Sequence, residues 1–325
     1  MRASGTDTSF LFCAPLLSPL LPPDISETMG VCAYTGLSVL HIGNTNTPFE
    51  DLLNLALRDA TISVLSISYG IYEVHMVDSM SASNTLFMQL GAAGVSVFAA
   101  TGDNGAFFPI PGCSQFAPSY PASSPYLTAV GGTTLGSNPG GASCPTEVAS
   151  SVQYSAVITS GGGFSSAASQ TRPSWQNSAV QSWYASAQCP KPTAPYTIGG
   201  RAYPDVSMLA HNFEIVSGGV TQAVDGTSAS SPILAGIIAA YNQARVDMGL
   251  HNLGFLNPLL YQTAATTPAA FNDIVSCLPA CKDTARARDG VHRTCAALLA
   301  GATKALADSA CSLSQPRTGC VACCC

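Results

Sequence analysis

TISVLSIS at Thr61–Ser68, the helical stretch Ala82–Ala93 and then GVSVFAA at Gly94–Ala100 read as one β-α-β unit. Both strands are apolar runs with no polar face, which is the pattern of strands covered on both sides. Leu127–Val130 is a third short strand, leading into Gly131 and Gly132. This rhythm predicts an α/β fold: a doubly wound parallel sheet with helices on both faces. In such folds the chemistry lies beyond the carboxyl ends of the strands.

Two turns sit where that chemistry is expected. Thr101-Gly102-Asp103-Asn104-Gly105 directly follows a strand, and Gly226-Thr227-Ser228-Ala229-Ser230-Ser231-Pro232 opens a long apolar helix. That helix, PILAGIIAAY at Pro232–Tyr241, is apolar nearly all round and must be buried. Its proline belongs to the first turn, where a missing N–H costs nothing. A serine at such a helix head is either a plain N-cap or a nucleophile whose developing charge the free N–H groups and the helix dipole stabilise.

Composition narrows the function. The 325 residues are 47% hydrophobic and 9% charged with a net charge of −6, which demands a folded chain, and the length suits one large domain. The 12 Lys and Arg form no run or stripe, so nucleic acid is not an expected partner. No apolar run reaches the roughly 18 residues of a helical membrane span, and a soluble protein is expected. FLFCAPLLSPLL at Phe10–Leu21 has the length of a signal-peptide core, but Pro15 and Pro19 interrupt it, so an altered N-terminus is the expectation. Thirteen cysteines suit an oxidising compartment; the terminal CxxCCC from Cys320 lacks the second CxxC or histidine pair of a structural zinc site.

DGTSASSPILAG at Asp225–Gly236 resembles the nucleophile segment of the subtilisin-like clan. None of His41, His75, His211, His251 and His292 stands in the His-Gly-Thr-His setting of a subtilisin base. The resemblance then becomes specific to the sedolisin family, the acid-acting serine-carboxyl peptidases, and to its tripeptidyl-peptidase I branch. SISYG (Ser66–Gly70), FAATGDNGA (Phe98–Ala106), FAPSYPASSPYLTAVGGTT (Phe116–Thr134), SGGGFS (Ser160–Ser165), GRAYPDVS (Gly200–Ser207), GTSASSP and GFLNPLLYQ (Gly254–Gln262) follow in the family's order. Seven collinear motifs within roughly residues 24–277 are not a chance match. They imply a subtilisin-like fold and a peptidase that acts on peptide or protein substrates.

By this resemblance Ser228 is the nucleophile and Asp103 the oxyanion residue. A carboxyl group donates to an oxyanion only when protonated, which implies activity at roughly pH 3 to 5. The family's base is a glutamate with an aspartate one helical turn later, so that the two carboxyls share a face. Asp24 takes the aspartate's place, and the glutamate's position is Leu20, with Pro22 and Pro23 opposing a helix there. Glu27 is the nearby glutamate, on the other side of Asp24. Ser160, Gly161 and Gly162 are the candidate substrate-binding residues, since glycine lets an extended peptide approach backbone. Asp273 and the Ile274 carbonyl, in FNDI at Phe271–Ile274, resemble the first half of the family's calcium loop and imply Ca2+; the Gly-rich second half is absent, although Asp283 and Asp289 follow. Cys277 and Cys281 resemble paired cysteines of the branch, with Cys113 a possible bridge to one of them.

The resulting organisation is an unassigned N-terminus (1–23), a sedolisin-type peptidase domain (24–281) and an Ala/Arg/Cys-rich tail (282–325) to which no structure is assigned. The family's N-terminal prodomain is absent from this sequence, as in an incomplete precursor altered at both ends. The resemblance implies a lysosomal, vacuolar or extracellular location. Two functions compete: an acid serine peptidase working through an acyl-enzyme, and a catalytically impaired homologue that binds peptides or partners because Leu20 replaces the base. An α/β-hydrolase esterase would need a GxSxG elbow, which is missing.

Overall fold

The computed structural model describes residues 9–15, 36–42, 45–107, 115–136, 146–185, 195–217, 219–274, 278–279 and 293–294. Its centre is a seven-stranded sheet of β1 (Ser9–Pro15), β2 (Gly36–Ile42), β3 (Ile62–Ile67), β4 (Ser96–Ala100), β5 (Thr128–Gly136), β6 (Thr146–Ala149) and β7 (Val206–Leu209). The order is β7-β5-β4-β3-β1-β2, all parallel, and β6 pairs antiparallel with β5. β1 lies inside the stretch left unassigned from the sequence; it runs between β2 and β3, with Cys13 beside Ile67 and Pro15 beside Ile42.

The expected β-α-β unit is present as β3, helix α2 (Met80–Ala92) and β4. Alternation explains why both strands read as unbroken apolar runs. Leu65, Ile67, Val97, Ala99 and Ala129 point to one face, where they pack with Phe49, Leu52 and Leu53 of α1 (Pro48–Arg58) and with Phe87 and Leu90 of α2. Val64, Phe98 and Val130 point to the other, against Leu234, Ala235, Ile238 and Ala239 of α4 (Thr227–Asp247). Helices therefore cover both faces, and each strand must be apolar at odd and even positions alike. Two further helices, α3 (Asn177–Ala185) and α5 (Asn257–Thr266), pack at the periphery.

The third strand extends well beyond Val130, through Gly131 and Gly132 to Gly136. The glycines keep space for neighbours: a side chain at Gly132 would stand 2.6 Å from Ala210 Cβ. The GRAYPDVS motif forms the buried joint between this strand and α5. Arg201 and Asp205 are both fully buried and pair with each other. Asp205 also accepts from Ala129 N (2.8 Å), Asn257 Nδ2 (3.2 Å) and Tyr261 Oη (2.9 Å), while Arg201 reaches the Ser124 and Ala202 carbonyls and lies 5.8 Å over the Trp175 ring. Burial, then the Asp205 charge, pushes the Tyr261 hydroxyl well above its ordinary value, so it remains a donor. Each charge is satisfied only while the other is present. Asp205→Ala, which strands a buried guanidinium, is expected to lower stability by about 3–5 kcal/mol, read as a shift in the urea unfolding midpoint.

β1 connects to β2 on one side, while β3 leads through α2 to β4 on the other. The connections thus diverge between β1 and β3, and a crevice opens at the carboxyl ends of the strands near such a point.

Candidate active site

The TGDNG turn leaves β4 at that carboxyl edge. Gly102 has φ +96°, which a residue with a side chain rarely adopts. The turn is laced to the segment before SGGGFS: Thr159 N donates to the Asp103 carbonyl (3.0 Å), Gly105 N to that of Thr159 (2.8 Å) and Gly161 N to that of Gly102 (2.7 Å). A Cβ at Gly161 would lie 2.1 Å from the Thr101 carbonyl oxygen, so only glycine allows these strands of backbone to meet.

So held, Asp103 reaches the head of α4. Its Oδ1 accepts from Thr227 N (2.8 Å) and Thr227 Oγ1 (2.9 Å), and Thr227 Oγ1 accepts in turn from Gly102 N (3.0 Å). The carboxyl group thus caps a helix from another loop, taking up an N–H that the helix itself leaves unpaired. Its other oxygen, Oδ2, takes no hydrogen bond from the described residues and faces Gly226. A Cβ placed on Gly226 would be 3.6 Å from Oδ2 and 3.7 Å from Ser228 Cβ, so Asp103 and Ser228 border the same small space.

Three serines open α4, and the structure separates them. Ser230 is buried and donates to the Met208 and Leu209 carbonyls; Ser231 is buried against Ser66 Oγ at 3.0 Å. Ser228 alone of the three is half-exposed. Its Oγ has a long contact to the Ser68 carbonyl (3.5 Å), and Ser68 Oγ donates to the Ser228 carbonyl (3.1 Å). A cavity of about 360 Å3 opens in front of it, walled by Ser68–Tyr72 on one side and Ala100–Gly105 on the other, with Ala117 and Ser119 between. Asp103 is its one acidic lining residue, and no histidine lines it among the described residues.

The remaining candidates lie elsewhere. Ser160, Gly161 and Gly162 are buried and do not line the cavity; Ser160 Oγ accepts from Gly132 N (2.9 Å) and Gly161 braces the TGDNG turn. Asp24, Leu20 and Glu27 lie outside the described residues, as do Cys113, Cys277 and Cys281. Asp273 is exposed, with partial desolvation raising its carboxyl above the ordinary value, and Ile274 is buried. Asn272 Nδ2 is bonded to Glu147 Oε2 at 2.8 Å, and no group of three His, Cys, Asp or Glu gathers among the described residues. One carboxylate and one carbonyl fall short of the 6–8 oxygens that calcium takes. Asp283 and Asp289 are outside the described residues, so the described ones do not by themselves fit the ion.

Ser68 and Thr227 stand inside SISYG and GTSAS and carry no titrating group, so residue type alone does not single them out. His211, one of the histidines outside any base-like setting, has an acidic partner. Its Nδ1 is 2.8 Å from Asp225 Oδ2, and Asp225 accepts from Val157 N (2.6 Å) and Asn212 N (2.8 Å), two residues before the helix that bears Ser228. Burial opposes the charge on Asp225, but the Asn212 and Val157 amides and the His211 ring outweigh it and hold the carboxyl below the ordinary range.

A profile of the subtilase family matches residues 39–295. The chain belongs to the subtilase family. Within it the chain sits on the sedolisin branch, on the tripeptidyl-peptidase I side. It is 42% identical over 223 residues to tripeptidyl-peptidase 1 of Canis lupus familiaris (65% of this chain, 36% of the relative) and 37% over 230 residues to that of Homo sapiens (66% and 37%). Physarolisin of Physarum polycephalum is 34% identical over 237 residues, covering 65% and 40%. The chain thus spans 36–40% of the length of these relatives. Among solved structures, a Pseudomonas sedolisin, a serine-carboxyl proteinase complexed with two molecules of pseudo-iodotyrostatin, superposes with a TM-score of 0.67 at 20% identity over 94% of this chain and 92% of that one. That likeness shows the subtilisin-like fold.

Two outcomes test the construction of the subtilase site. Gly161→Ala, whose Cβ would lie 2.1 Å from the Thr101 carbonyl oxygen, should force the TGDNG turn away and lower stability by about 1–3 kcal/mol, read as a fall in the urea unfolding midpoint. Asp225 is stabilising when ionised, because its folded value lies below its unfolded one. The stability gap between the protein and Asp225→Asn should hold above about pH 5 and close as the pH falls below about 4 towards the lowered folded value, as followed by thermal melting across pH.

Proposed function

We propose that the chain is an acid-acting serine-type peptidase that cleaves peptide bonds through an acyl-enzyme, as a tripeptidyl-peptidase or an endopeptidase. The observation that carries this reading is the joint placement of Ser228 and Asp103 Oδ2 around Gly226, at the head of a buried helix. Ser228 Oγ attacks the scissile carbonyl while a carboxylate removes its proton; the family resemblance places that base at position 20, which is leucine here, and gives Asp24 the orienting role. Oxygen Oδ1 of Asp103 is spent on Thr227, which leaves Oδ2 to carry a proton and donate to the tetrahedral oxyanion. Collapse of the intermediate breaks the C–N bond, the amine leaving with the proton taken from Ser228, and water then adds to the Ser228 ester, giving its proton to the same carboxylate and releasing the acid and free Ser228. An acidic compartment, lysosomal, vacuolar or extracellular, is the setting in which that proton is held. Calcium, if bound near Asp273, serves the fold and takes no part in these steps.

Leu20 favours a second reading, a homologue that binds peptides in the same cleft without cleaving them. Assay of the full chain on peptides at roughly pH 3 to 5, beside Ser228→Ala, separates the two. Cleavage and fluorophosphonate labelling abolished by the substitution support the peptidase; peptide binding without either supports the binder. In the active case Asp103→Ala should lower kcat by about 100- to 1000-fold, the usual effect of losing an oxyanion donor. Asp103→Asn donates at every pH, so its residual activity should lose the fall towards neutral pH that the unaltered protein shows.

A further inference from the structure

Three residues beyond SISYG, at the head of a short turn spanning Glu73–His75, stands a carboxylate that the reaction does not use. Glu73 is 2% exposed. Its Oε1 accepts from Ser165 Oγ, and its Oε2 from Ser166 N (3.0 Å) and Ser166 Oγ (3.2 Å). No cation is among these partners; three donors from one segment meet both carboxyl oxygens. The Glu73 amide donates to the Pro118 carbonyl at 2.9 Å. Directly before it, Ile71–Tyr72 pairs with Ser119–Tyr120, and Ser119 N is bonded to Tyr203 Oη at 2.8 Å.

Glu73 therefore stands where three pieces of chain converge: the Ser68–Tyr72 wall of the cavity, the Ser119 segment at its base, and the run that follows SGGGF. That run is fixed from behind as well, since Ser165 N donates to the Arg201 carbonyl and Gly163–Phe164 pairs with Ala202–Tyr203. A buried carboxyl group with no cation paired to it among the described residues is a costly way to fill space, and its donors cannot find water if it is removed. We propose that Glu73 is a positioning residue of the peptide cleft: its two carboxyl oxygens tie the Tyr69–Tyr72 wall to Ser165–Ser166 and so set the width of the cavity in front of Ser228. It does not line that cavity and acts through the wall it holds.

The proposal rests on the peptide-cleft reading above and not on catalytic competence, so binding tests it. In a Ser228→Ala background, anisotropy of a fluorescein-labelled hexapeptide with phenylalanine at its third position gives Kd at pH 4.5. Glu73→Met keeps the bulk but removes both acceptors, and it should raise Kd at least fivefold. Glu73→Gln retains an acceptor for Ser166 N and should restore Kd to within about twofold of the parent. A Glu73→Met chain that folds and binds as tightly as its parent overturns the proposal, as does a Glu73→Gln chain no better than Glu73→Met. Should Glu73→Met not fold, Ser165→Ala, which keeps the carboxylate and removes one donor, decides by the same measurement: weaker binding supports the tie and an unchanged Kd overturns it. If the Ser228→Ala parent itself binds no peptide, the cleft reading fails and the proposal with it, an outcome distinct from tight binding that is indifferent to Glu73.

Discussion

A carboxylate from one loop closes the amino end of a helix from another. The two hydrogen bonds from Thr227 to Asp103 Oδ1 join the end of a central strand to the start of α4, and they place Ser228 and the free carboxyl oxygen on either side of Gly226. A helix head needs its first N–H groups satisfied, and most helices meet that need with their own N-cap. Here residue 226 is glycine and supplies no side chain, so the cap comes from 124 positions away. One contact thereby serves helix stability and active-site geometry together.

The surrounding motifs follow from the demand that this contact be rigid. The TGDNG turn cannot hold Asp103 alone; it hangs on the backbone of Thr159–Gly161, which approaches so closely that residue 161 must lack a Cβ. The Ser66–Ser231 and Ser68–Ser228 contacts fasten the next strand end to the same helix. Further out, Arg201 and Asp205 lock the chain that follows against β5 and α5. Glycines and hydroxyls dominate these contacts because backbone is packed on backbone, where larger side chains do not fit.

Much of this was legible in the residues. The apolar runs at 62–67 and 96–100 and the helix between them lie where the periodicity placed them, because strands covered on both faces and a helix with one apolar stripe leave distinct local patterns. Helix α4 begins at Thr227, five residues before the apolar run that announced it, since the GTSAS turn is polar for reasons of the site. Strand β1 was not legible: SFLFCAP is short and ends in proline, and its place between β2 and β3 depends on partners that local pattern does not name. SGGGFS carried a substrate-binding expectation, while its Ser160 and Gly161 are buried bracing for the turn above them.

Residue order alone was enough for the parallel sheet, because periodicity is a local matter, and for the two turns at strand end and helix head, because turn chemistry is local too; the roles of Ser228 and Asp103 came from the family resemblance of GTSAS and TGDNG. The folded contacts had to be seen to learn which of three neighbouring serines faces open space, which oxygen of Asp103 takes no hydrogen bond among the described residues, and that Glu73 joins the chain after SISYG to the residues beyond SGGGF. Each depends on contacts between segments more than 20 positions apart, and no local pattern records which distant donor a buried carboxyl group will meet.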